Sequence, residues 1–596
     1  MNLTRTQLTA GLVGLAVLIL LGAAIGGVAI FSPGEDSTPG PDSDSGAGNH
    51  HSGLESEVPP EDRPDDPSTS ETVGYVDGYW YDDELPVDDR TDAAVESDEL
   101  DAVVARSMAR VELIRNLTFQ DEAEVAVISR EEYQTEHGDM FANVTGDQRL
   151  QQNVNYEALF MVDRETDATE AFESLYGGAV DGFYDPVTDE IVLVSDSPDS
   201  PELDEIVLGH ELLHALQDQH FDLRSYDRET IDQDNAKNGL IEGDAVWVDT
   251  AYEQRCEADW DCLQPDRTPP AVGDLNWGLY LTMYQPYDDG PDYVDYLLEQ
   301  GGWDAVDAAY DDPPTSSSEV IRPGEDREPV TIELEDRSND EWTQLELNGD
   351  VATESVGEAG MVAMFAGGAF DDMRPTVIDR ADLIGSGVGY EFDHAITDGW
   401  AGDELVTYVA TNDGETADNV EDTGYVWQTE WTSAEDAAQF ADAYTMLLEL
   451  YNSDQANDSV DTYVIDRGFP GAYHVEQDDE TVTIVRAPTV DDLDAIDAGA
   501  VPGSADAPTP ASSTESASDA TAASVADDQE GAVLAGLNPG FGTVTAVFVS
   551  VALAGTVGWL AVLRTRARPR LNSSPSASVA SGARRVVVTV EKPTKL

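Results

Sequence analysis

Apolar residues recur every three to four positions over 97–115, 202–219 and 234–254, and this spacing predicts three helices. Residues 179–195 (AVDGFYDPVTDEIVLVS) alternate around a Pro/Asp turn, which predicts a β-hairpin running directly into the second helix. The stretch 350–370, small and apolar around Gly357 and Glu358, reads as a buried helix. Beyond it, strand-like runs at 405–410, 424–428, 461–466 and 481–486 surround a helix over 433–451, a smaller α+β unit. The expected fold class is therefore α+β.

Two apolar runs without charge, 8–31 and 541–563, stand outside this body. A spanning helix needs about 20 apolar residues, whereas a signal peptide has a core of about 7–15. Residues 1–31 are thus expected to be an N-terminal membrane anchor, with a signal peptide as the alternative. The second run is followed by Arg564, Arg566, Arg568 and Arg570, an inside-retention pattern that predicts a cytoplasmic tail over 571–596. Between the runs lie an acidic linker (32–73), read as disordered, and two folded parts (74–345 and 346–495). A Ser/Thr/Ala/Asp-rich stalk (496–538) and a segment carrying the second run (539–570) complete the order.

Charge changes the picture of the surroundings. The 596 residues include 122 acidic and 29 basic side chains, a formal net charge of −93, and only three lysines (Lys237, Lys592, Lys595). In dilute buffer such self-repulsion opposes compaction, but at molar salt the Debye length falls to about 3 Å. With 41% apolar residues the chain can still build a core, so composition predicts an extreme halophile and not a disordered chain. Nucleic acid is excluded as a partner, because its phosphates require Lys and Arg. The pair Cys256 and Cys262 predicts one local disulfide in an exported protein. Asn116, Asn143 and Asn457 open N-x-[ST] sequons, so the ectodomain is expected to be a glycoprotein.

The candidate chemistry lies in Gly209-His210-Glu211-Leu212-Leu213-His214. One helical turn apart, His210 and His214 share a face and can reach one ion, and Glu211 stands beside the first imidazole. Zn2+ in such a site lowers the pKa of its water to about 7, and Glu211 is the expected general base for that water. The chain has eight histidines, and three fall within His210–His220. For the third ligand, Glu242 lies 28 residues after His214 on the next helix. Its carboxylate would leave the fourth position to water. His220 is the rival, but Gln217 stands where a glycine would have to break the helix. A continuing helix leaves His220 about 9 Å farther along the axis than His214. Asn238 and Asp249 share the face of Glu242 and are candidates to orient a ligating imidazole. His394 and His474 are candidates to stabilise an oxyanion. The acidic run Asp288-Asp289-Gly290 reads as solvated surface.

Two resemblances sharpen these expectations. Asn538-Pro539-Gly540-Phe541, the apolar span and the arginines, behind the stalk, resemble the PGF-type C-terminal sorting signal of haloarchaeal surface proteins. That resemblance implies removal of the span by an archaeosortase and attachment of a lipid. Such signals usually end soon after the arginines, whereas this chain continues to Leu596. The second resemblance rests on GFYDP (182–186), HELLHALQDQHFDL (210–223), LIEGDA (240–245), PPTSSSEVIRP (313–323) and GWAGDEL (399–405). This ordered set resembles a group of prokaryotic zinc metalloproteases of gluzincin type, whose members tend to carry a histidine near Arg322 and a second glycine at Ala401. It implies a zincin-like fold for 74–345, with His210, His214 and Glu242 as zinc ligands and Glu211 as base.

The sequence thus predicts an anchored cell-surface metalloendopeptidase that hydrolyses peptide bonds through a zinc-bound water. The alternative is a non-catalytic envelope or adhesion protein with a structural zinc.

Overall fold

The structure, a computed structural model, describes residues 59 and 63–501 apart from short internal stretches (89, 91, 122, 137–143, 177–181, 266–274, 326, 328, 372, 386–388, 413–414, 417–418 and 457–458), and the backbone of 584–588. Its first helix, α1 (Leu100–Arg115), buries Val103, Val104, Met108 and Val111 and ends on Asn116 in the left-handed region. The strands β1 (Ala123–Ser129), β2 (Gly182–Asp185) and β3 (Glu190–Ser195) form a sheet in which β1 runs parallel to β3 and β2 antiparallel to it. The pair β2–β3 is the expected hairpin, and β2 forms the edge nearest the next helix.

That helix, α2 (Glu205–Phe221), starts where the Asp204 side chain accepts the Ile206 N–H at 3.0 Å, and ends on Asp222 at φ 50°. Leu208, Leu212, Leu213 and Leu216 are fully buried, each contributing about 1.5–3 kcal/mol of hydrophobic stabilisation. The core they enter includes Val104 and Val111 of α1, Leu193 of β3 and Tyr252 of the next helix. Helix α3 (Ile231–Ala258) is capped by Thr230, which accepts the Gln233 N–H. The disulfide Cys256–Cys262 joins its last turn to the following loop, as the cysteine spacing predicts.

Helix α4 (Trp277–Gly301) has no counterpart in the sequence reading, because Pro286 and Pro291 lie inside it and proline interrupts the helical ladder. It corrects the reading of Asp288-Asp289-Gly290 as surface. Gly290 is buried against α3, and Asp288 accepts the Tyr390 N–H at 2.6 Å. A Cβ on Gly243 would lie 2.4 Å from the Gly290 carbonyl, and one on Gly290 would lie 2.5 Å from the Gly239 oxygen. Backbone therefore meets backbone where α3 and α4 cross.

In the C-terminal half, α5 (Gly357–Ala366) is the expected buried helix. The strands β4 (Trp400–Asn412), β5 (Thr423–Trp431), β6 (Thr462–Ile465), β7 (Gly471–Asp478) and β8 (Thr481–Ala487) form an antiparallel sheet in the order β4–β5–β8–β7–β6, with short strands at its margins. Helix α6 (Ala434–Leu450) covers one face. The fold is mixed α+β. One apolar core runs across residue 345, joining Leu159, Tyr280 and Ile321 to Trp427, Phe440 and Tyr473, so the two halves share their interior.

Among the described residues no helix is long and apolar enough to cross a membrane. The runs 8–31 and 541–563, the linker before residue 63 apart from 59, the stalk beyond 501, and Asn143 and Asn457 lie outside those residues. The end of the linker, expected to be disordered, is ordered instead, with Arg63 paired to Asp82 at 2.6 Å and Thr69 buried, and Ile496 at the start of the stalk is fully buried. Within the tail, Arg584–Val588 pairs antiparallel with the outer edge of β1. A β-prone Val586-Val587-Val588 run and the unpaired backbone of an edge strand account for the pairing.

Candidate metal centre

The hairpin order sets α2 against β2, and the glycine crossing sets α3 between α2 and α4. Between α2 and α3, His210, His214 and Glu242 converge, all three fully buried. The two imidazole Nε2 atoms are 3.0 Å apart, and Glu242 Oε2 lies 3.4 Å from the first and 3.5 Å from the second. Ligands bound to one zinc at about 2.0–2.1 Å with tetrahedral angles sit about 3.3 Å from one another. The triangle has that size.

Each imidazole is held from behind. His210 Nδ1 donates to Asp249 Oδ2 at 2.8 Å, the role proposed for Asp249 from its place on the helix face. Asn238 does not share it, because its amide is engaged with Arg228 and Asp234. His214 Nδ1 lies 2.8 Å from Gln217 Oε1. The Gln217 amide nitrogen in turn donates to Ile241 O, Asp244 Oδ2 and Tyr310 OH at 2.9–3.3 Å. With its nitrogen so occupied, Gln217 presents its oxygen, and His214 must carry its proton on Nδ1. Both Nε2 lone pairs then point into the triangle, an arrangement that favours a cation there.

The electrostatics agree. Burial works against a charge on His210, yet Asp249, Glu242 and Glu211 together raise its pKa well above the ordinary value. Burial also opposes the charge on Glu242, but His214 and His210 hold its pKa below the usual range. Three carboxylates around two imidazoles make a pocket suited to a dication. Glu211 is fully buried; its carboxylate has no side-chain hydrogen-bond partner among the described residues and interacts with the Tyr184 backbone N–H of β2. Burial raises its pKa, with the charge of Glu242 acting in the same sense and His210 and His214 opposing it. A Cβ on Gly182 would come within 3.7 Å of Glu211 Cγ, so the free edge of β2 passes directly beside this carboxylate.

His220 stands apart, with Nε2 on Thr118 O at 2.9 Å and Nδ1 on the Gln120 amide at 3.1 Å. It ties the end of α2 to the loop after α1. His474 faces Thr462 across β6–β7, and His394 accepts the Ile396 N–H. Neither is one of the clustered ligands. The serines of PPTSSSEVIRP also serve the frame: Ser317 binds Asp232 through its hydroxyl and N–H, and Ser318 donates to Glu358. Arg322 pairs with the same Glu358. In GWAGDEL, Asp403 accepts the Val356 and Gly357 N–H groups at the start of α5.

Sequence reasoning missed Gln217 and the Arg115–Asp244–Tyr310 set behind it. Gln217 was legible only as a residue that continues the helix, although its i+3 offset from His214 was an available signal.

A family described as a Domain of unknown function (DUF8575) matches residues 343–497, the part that holds the large sheet and not the metal cluster. No curated protein and no solved structure matches the chain.

Proposed function

We propose that the protein is a zinc-dependent peptidase of the cell surface, with His210, His214 and Glu242 as ligands. The observation that carries the reading is the convergence of both imidazole Nε2 atoms and Glu242 Oε2 beside the buried carboxylate of Glu211, which no side chain engages by a hydrogen bond among the described residues. Zinc held there supplies a Lewis acid that polarises a peptide carbonyl and acidifies water. Glu211, its pKa raised, accepts the water's proton and returns it to the departing amine. The free edge of β2 offers backbone N–H and C=O groups to an extended peptide beside that carboxylate. No fourth protein ligand joins the cluster among the described residues, which leaves a position for a reactant. In this proposal the runs 8–31 and 541–563 anchor the ectodomain outside the cell. If an archaeosortase processes the second run, the Arg584–Val588 strand leaves with it.

A second reading, a structural zinc in an envelope protein, is favoured by one observation: all four residues are closed to solvent. Zinc content and peptide hydrolysis, measured on the wild type, Glu242→Ala and His220→Ala in molar KCl, separate the readings. A peptidase gives a metal-loaded, active wild type, loss of both properties in Glu242→Ala and retention of both in His220→Ala. A wild type that holds zinc but cleaves nothing is structural. Loss of zinc in His220→Ala alone rejects the ligand set.

A further inference from the structure

Arg228 lies three residues before α3, with only about a tenth of its side chain exposed. Its Nη1 is spent on this chain, donating to Asp234 Oδ1 at 3.1 Å and Asn238 Oδ1 at 2.5 Å. Its Nε and Nη2 are both buried and have no partner among the described residues. These two nitrogens form one edge of the guanidinium, a parallel pair of N–H donors matched to the two oxygens of a carboxylate. Arg106, Arg115 and Arg486 each have a single buried nitrogen without a partner, and among the described residues only Arg228 has its whole fork so. In a chain with 122 carboxylates and 29 basic residues, a buried fork that no acid fills is out of keeping with the rest.

The position adds meaning to the vacancy. Asp234, Asn238 and Glu242 follow one another at four-residue steps along one stripe of α3, and Arg228 is fastened to the first two. Burial raises the pKa of Asp234, and the charge of Glu242 adds to it, so the two carboxylates are within electrostatic reach. Asn238, which holds Nη1, precedes the metal ligand Glu242 by four residues, a rise of about 6 Å along α3, so Arg228 is tethered one helical turn before that ligand. An extended peptide advances about 3.3–3.6 Å per residue. A group held there falls one to two residues from the bond under attack.

We propose that Arg228 binds a carboxylate of the substrate, either its C-terminal group or an acidic side chain next to the scissile bond. The assignment rests on the peptidase reading for the word substrate, but its test does not depend on turnover. The full chain in molar KCl is titrated calorimetrically with acetyl-Ala-Leu-Ala as free acid and as amide, and with acetyl-Ala-Glu-Ala-amide against its Gln counterpart. Hydrolysis and zinc content are followed in parallel. One carboxylate peptide should bind roughly 10–100-fold more tightly than its neutral twin, as expected for a paired charge-assisted contact. The acid/amide pair reports a C-terminal carboxylate, and the Glu/Gln pair reports a side chain. Arg228→Lys should lose most of that preference with zinc content unchanged, because lysine keeps the charge and lacks the fork. Equal binding within each pair by the wild type overturns the assignment, whatever any variant does. A preference without hydrolysis keeps Arg228 as a carboxylate site and removes the peptidase; hydrolysis without preference does the reverse.

Discussion

Gly243→Ala tests the link between the helix crossing and the metal. The new methyl carbon would lie 2.4 Å from both the carbonyl carbon and the oxygen of Gly290, and 2.7 Å from its Cα. Ordinary carbon contacts are about 3.5–4.0 Å, so α3 and α4 must separate by about 1 Å at this point. Both contact partners are backbone, and no rotamer change relieves the clash. Overpacking of this kind costs about 1–3 kcal/mol. The larger effect falls on the neighbouring residue, because Glu242 moves with α3 while His210 and His214 stay on α2. Metal–ligand distances tolerate about 0.2 Å, so a shift of this size should weaken zinc binding by at least about tenfold. Competition against a zinc-chelating dye, with thermal melts of the same samples, reads both terms. Gly290→Ala, whose Cβ meets the Gly239 oxygen at 2.5 Å, should behave alike. Wild-type zinc affinity in both variants would refute the argument that this crossing positions Glu242.

Two further outcomes follow from the surrounding network. Gln217→Ala removes the acceptor that fixes the His214 tautomer, while Tyr310 and Asp244 keep their bond to each other, so zinc affinity should fall about 10–100-fold, read by the same dye competition. Glu354 accepts the Ile231 N–H at the start of α3, and burial pushes its pKa to about 8. A raised folded-state value means that its stability contribution is complete below the unfolded value near 4 and is lost as pH rises through about 8. Between pH 6 and 8 the wild type should therefore lose about 2–3 kcal/mol through this group. Glu354→Gln, with Asn155 turned to present its oxygen, should flatten that part of a pH series of denaturant midpoints; an unchanged slope would show that Glu354 is not the source.

Much of the frame was legible because its signals are local. The helices at 205–221, 231–258 and 434–450 carry apolar residues at helical spacing, and the hairpin at 182–195 announces itself by its turn. The three clustered residues were readable from spacing alone, since a turn of helix fixes His210 against His214, and a second helix with one acid in a Gly-bounded block supplies Glu242. What escaped depends on contacts across the fold. Pro286 and Pro291 hide α4, which is stable because Gly239, Gly243 and Gly290 let it press against α3. Asp288 looked like surface because one acid among 122 carries no signal of its own burial. Asn238 and Asp249 were indistinguishable on the helix face, and only the position of α2 selects Asp249. The unfilled fork of Arg228 cannot be read from a sequence, because it is defined by partners it does not have.

The central claim is that one cluster both holds zinc and hydrolyses peptides, and Glu211→Gln separates the two functions. The substitution keeps the size of the side chain and leaves His210, His214 and Glu242 in place, but it removes the base. Zinc content per chain should stay at the wild-type value, while kcat on a fluorogenic peptide falls at least about 100-fold. Full zinc with wild-type turnover in Glu211→Gln would contradict the account.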